Sequence, residues 1–72
     1  MTLTGDQATF LLDIASAQPL PGVPVRYARD RDADAVALEK HGLIERHYIG
    51  KHYGAFATEK GFTVLQALKA QL

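Results

Sequence analysis

The side chains of this chain able to do chemistry fall into three sets: clustered cations, a short run of aromatics, and three histidines. Arg26, Arg29 and Arg31 are close together in sequence, and Lys40, Arg46, Lys51 and His52 occupy the next stretch. Guanidinium and ammonium groups at that density suit phosphate oxygens, which Arg engages with two parallel donors and Lys as a point charge. Tyr48, Tyr53 and Phe56 offer flat apolar faces for stacking or docking. Three imidazoles can make an open zinc site, but His41, His47 and His52 are spaced for a helix end and two hairpin arms, so no metal is expected. Acidification would charge those rings and strengthen any anionic contact near them. Without cysteine there is neither a disulfide nor a thiolate site. No Ser/His/Asp order, paired-carboxylate helix or phosphate-cradling glycine loop is present, so no catalytic residue, no cofactor and no enzyme activity are expected.

Three helices and a hairpin must position these groups. Thr4 can cap a helix beginning near Gly5, with Gln7 reaching back and Leu3 stapling onto Ala8. Phe10, Leu11, Ile14 and Ala17 then recur at helical spacing as its apolar face, and Pro19 stops it. The run Pro19 to Pro24 is a stiff loop, after which Pro24 could start a single turn through Tyr27. From Arg29 to His41 a second helix is expected. Asp30, Asp32 and Asp34 lie near its positive end and Lys40 and His41 near its negative end. Ala35 and Leu38, with Ala28 and Arg31, make its inward stripe, and Gly42 supplies the left-handed residue that closes it. Residues 43–49 and 51–58 read as the arms of a hairpin turning at Gly50. Thr58 can cap a last helix whose stripe is Phe62, Leu65, Leu68 and Leu72.

The run Leu38-Glu39-Lys40-His41-Gly42-Leu43-Ile44-Glu45-Arg46, a hairpin, and then Thr58-Glu59-Lys60-Gly61 resembles the winged helix-turn-helix domains of bacterial transcription regulators of the MarR and PadR types. The resemblance implies a single α+β domain over residues 1–72: helix, loop or short helical turn, helix, β-hairpin wing, C-terminal helix. It further implies a regulatory module that contacts duplex DNA. Helix 29–41 would present Arg29, Arg31, Asp34 and Lys40, and hairpin 43–58 would present Arg46, Lys51 and His52. The chain departs from the pattern where Pro19 to Ala28 replaces the first helix of the pair, where three aspartates enter the presenting helix, and where Lys51-His52-Tyr53-Gly54 replaces an Asp-x-Arg wing.

Composition bounds these expectations. Seventy-two residues, 47% hydrophobic and 22% charged, suffice for one small core. The formal net charge of zero disfavours indiscriminate nucleic-acid binding, so the distribution of charge must decide. The second expectation is therefore a protein-interaction winged helix, phage-type or accessory, docking on a host protein through Tyr48, Tyr53 and Phe56. If Ala55 and Ala57 face inward, Phe56 is left outside; the opposite facing would make it core. A homodimer would suit the small core and the C-terminal stripe. No membrane span or secretory leader is apparent, so a cytoplasmic location in a prokaryote or its virus is expected.

Overall fold

Thr4 opens the first helix as its spacing predicts: its hydroxyl accepts from the Gln7 N–H at 3.1 Å, and the Gln7 side chain accepts from the Thr4 N–H at 3.1 Å. The computed structural model describes residues 3–70. In chain order it contains α1 (Gly5–Ala17), β1 (Val25–Arg26), a 3-10 turn (Arg29–Arg31), α2 (Asp32–Lys40), β2 (Ile44–Arg46), β3 (Gly54–Ala57) and α3 (Glu59–Ala70). The result is a small α+β domain of winged-helix-like form, with three helices and an antiparallel sheet in the order β1-β3-β2.

The core gathers Phe10, Leu11 and Ile14 from α1, Ala35 and Leu38 from α2, Leu43 and Ile44, Ala55 and Ala57 from β3, and Leu65 from α3. Small alanines on β3 let the helices approach the sheet closely, while the bulky residues come from the helices and β2. Ala17, expected on the buried stripe of α1, is exposed, as is Ala28 ahead of α2. Both flank the apolar residues that do reach the core. Leu72 lies outside the described residues, so the C-terminal stripe is represented by buried Leu65 and half-buried Phe62 and Leu68.

The end of α2 is closed by backbone hydrogen bonds. Gly42 has a φ of +75°, its N–H donates to Glu39 O at 2.9 Å, and Leu43 N–H donates to Leu38 O at 3.1 Å. This is a Schellman closure, completed by Leu38 and Leu43 meeting in the core. Thr58 then ties the hairpin back to that joint. Its hydroxyl donates to Gly42 O at 2.6 Å while accepting from Gly61 N–H at 3.1 Å, and its own N–H donates to Leu43 O at 3.0 Å. Gly61 is buried against the Leu43 carbonyl, and a Cβ there would collide with it, so the close approach requires glycine.

Two expectations about the middle of the chain are corrected. No helical turn runs from Pro24 to Tyr27; Val25 and Arg26 form β1, paired with Ala55 and Gly54 of β3, and Tyr27 N–H donates to Tyr53 O at 3.1 Å. Proline fixes its own φ but leaves the conformation of the next residues open, and a β-branched valine beside an open sheet edge gains more from pairing than from one isolated turn. The second helix also begins later than Arg29. Residues Arg29–Arg31 form a tight 3-10 turn with no side-chain cap, and α2 proper starts at Asp32.

The hairpin keeps one register throughout. Ile44, Glu45 and Arg46 face Ala57, Phe56 and Ala55, and the outer arms meet again where Ile49 pairs with His52 across Gly50-Lys51. Positive φ at Gly50, with none at Lys51, has the signs of the II′ turn that suits the twist of two strands.

Candidate nucleic-acid interface

The register of β1 decides which cations converge. Arg26 faces Gly54 on the sheet, and the hairpin returns Lys51 and His52 beside it. Arg29, at the start of the 3-10 turn, closes the third side. These four side chains, with Tyr27, Ala28 and Tyr53, line a shallow groove of about 510 Å³ that contains no carboxylate. Arg26 Nη2 lies 3.2 Å from His52 Nδ1. A guanidinium can only donate, so Nδ1 accepts and the ring proton belongs on Nε2. The formal positive charges of the groove are thus those of Arg26, Arg29 and Lys51, none of which forms an ion pair among the described residues.

Of the other cations expected to touch DNA, Arg46 and Arg31 are committed internally. Arg46 donates from its backbone N–H to Glu39 Oε2 at 3.1 Å, from Nε to Oε1 at 3.0 Å, and from Nη1 to both Asp32 oxygens at 3.3 Å. The Arg46 N–H, first of all, holds the Glu39 carboxyl below its ordinary value of 4.5. Asp32 also accepts from the Tyr27 hydroxyl at 2.6 Å, and burial together with that carboxylate pushes the Tyr27 phenol well above its ordinary value. Arg31 sits 4.9 Å over the Phe10 ring and pairs with Asp34 at 3.6 Å. The pairing explains the acidic first turn of α2: Asp32 and Asp34 neutralise arginines of the fold and do not confront a ligand. Lys40 is exposed at the far end of α2, outside the groove.

The structure therefore unites Arg29, Lys51 and His52 from the expected set, separates Lys40, and gives Arg31, Asp34 and Arg46 structural partners. It adds Arg26 and Tyr27. Both were visible as residue types, but only a strand pairing partners thirty positions apart, Val25 with Ala55, brings them to the wing.

The hairpin aromatics also divide. Tyr53 packs against Tyr27 and Tyr48 at ring separations of 5.9 and 5.5 Å, and Tyr48 is 71% exposed beside the groove. Phe56 lies on the opposite side from the buried alanines, half-buried, with His47 stacked on it at 5.2 Å. Of the two facings open to Phe56, the chain thus adopts the outward one. The histidines are dispersed to a helix end, a stacking partner and the groove, and among the described residues no group of three or more His, Asp or Glu is arranged to hold a metal ion. No described helix is long and apolar enough to cross a membrane. No family model, curated protein or solved structure matches the chain.

Proposed function

We propose that this domain binds duplex DNA chiefly through the phosphate backbone, using the groove between β1 and the wing. The observation that carries the reading is the convergence of Arg26, Arg29 and Lys51 with His52 on a surface free of carboxylates. Such a set suits phosphate oxygens by charge and donor chemistry, and exposed Tyr48 beside it can rest against a sugar or a base face. A neutral chain that brings three unpaired cations together has a local field that its net charge conceals.

Reading of base edges is thin in this arrangement. The first turn of α2 spends its aspartates on Arg31 and Arg46, and the exposed positions of the whole helix are Ala33 and, at its far end, Lys40. Without a bidentate Arg or an amide on that helix, discrimination between base pairs has few sources. The domain is thus expected to hold duplexes of different sequence with similar affinity.

Fluorescence anisotropy of a labelled 20-base-pair duplex, titrated from about 50 to 300 mM salt, tests the proposal. Three phosphates neutralised predict a slope of log K against log salt of about −2.7, and Lys51→Ala or Arg29→Ala should each flatten it by about 0.9. Arg31→Ala should leave the slope unchanged. Absence of binding at the lowest salt, or a slope indifferent to removal of Arg26, Arg29 and Lys51 together, overturns the reading.

A further inference from the structure

A second recess lies on the sheet face turned away from the core. Glu45 on β2 stands opposite Phe56 on β3, and the first turns of α3 bring Glu59 and Phe62 to the same place, with Pro21 from the loop before β1. Together they border a hollow of about 550 Å³ whose lining includes two aromatic rings and two carboxylates but no cation. Phe56 and Phe62 are each half-buried, so their remaining faces form its apolar floor. Glu45 and Glu59 are exposed, and neither forms an ion pair among the described residues. The loop that supplies Pro21 also carries Leu20, 65% exposed.

This pattern excludes the ligand proposed for the groove, because two unpaired carboxylates would repel phosphate. It selects the opposite charge. An apolar group entering between the rings would be released from water, and a cation on either side of it would meet an unpaired carboxylate. We infer that the hollow takes an apolar side chain flanked by lysine or arginine on a partner polypeptide. The partner is recognised by charge complementarity at the rim and by apolar fit at the floor, which is the usual division of labour in a small protein interface. The inference stands on residues separate from the groove and does not require the nucleic-acid reading.

The test uses the ¹⁵N-labelled domain and two synthetic pentapeptides, Lys-Leu-Lys-Phe-Lys and Glu-Leu-Glu-Phe-Glu. The expected result is that only the basic peptide shifts amide signals, and that these map to residues 44–46 and 56–62. A Glu45→Lys/Glu59→Lys variant changes exposed positions, and its own amide spectrum shows whether the fold is intact. It should bind the basic peptide roughly tenfold more weakly and gain affinity for the acidic one. Equal shifts from both peptides, shifts confined to other surfaces, or no shift at millimolar peptide overturns the inference. So does movement of the same signals with protein concentration alone, which would assign the hollow to a second copy of the chain. Loss of DNA binding in the anisotropy experiment would leave these outcomes unaffected, so the two proposals fail separately.

Discussion

Asp32 shows how one side chain can reverse the meaning of its neighbours. Along the chain it is one of three aspartates obstructing a DNA-facing helix; in the fold it accepts from the Tyr27 hydroxyl and pairs with Arg46, locking β1, α2 and the wing together. Tyr27 and Glu39 give this network opposite pH limits. The raised folded-state pKa of Tyr27 means that its contribution is fully present below the unfolded phenol value of 10.0 and is lost as the pH climbs above it. The depressed pKa of Glu39 means that its contribution is present above the unfolded carboxyl value of 4.5 and is lost as the pH falls below it. Urea midpoints measured across pH should therefore decline at both extremes, with Tyr27→Phe flattening the alkaline limb and Glu39→Gln the acid limb. Identical limbs in wild type and variants would show that the network does not titrate with folding. None of these pairings is legible from residue spacing, since Glu39 and Arg46 meet only because Gly42 reverses the chain between them.

At the scale of elements, the strongest sequence signal and the tightest structural joint coincide. The run from Leu38 to Leu43 and the later Thr58 to Gly61 form one clasp: α2 ends in a Schellman turn, Thr58 caps α3 while gripping Gly42, and Gly61 lets α3 pass against Leu43. Gly61→Ala must displace a backbone carbonyl, which no rotamer change can relieve, and should destabilise the domain by about 1–3 kcal/mol in urea unfolding. Retention of wild-type stability would mean that α3 shifts freely at its start, contrary to a clasp. Helix ends were legible because caps are local chemistry: Thr4, Gly42 and Thr58 each act within a few residues. Strand β1 was not, because its two residues acquire meaning only from β3, and Pro24 before it suggested a turn instead.

For the molecule as a whole, a Cα radius of gyration of 11.2 Å agrees with the roughly 11 Å expected of one folded domain this long. Within its zero net charge two surfaces differ in sign: Arg26, Arg29 and Lys51 line the groove, and Glu45 and Glu59 border the hollow. His52 and Phe56 are four residues apart, about 13 Å along an extended arm, which exceeds the screening length of about 8 Å at 0.15 M salt. The two surfaces should therefore act independently near that salt. In a double-mutant cycle, Lys51→Ala and Glu45→Lys should change DNA affinity additively to within about 0.5 kcal/mol. A larger coupling, measured by the same anisotropy titration, would mean that the hollow and the groove form one continuous electrostatic site.

Local chemistry alone determined the order of helices and hairpin, the inward facing of Leu38, the glycine-terminated junction and the supply of cations, because caps, periodicity and turn preferences operate over a few neighbouring residues. Only the tertiary structure decided which charges remained available. Arg46 is neutralised by Asp32 and Glu39 once α2 packs against β2, and Arg31 by Asp34 one turn along the chain, whereas Arg26, Arg29 and Lys51 are left facing water. The Arg46 pairs depend on distances of a few ångströms between α2 and β2, and those distances exist only after the chain has closed its core.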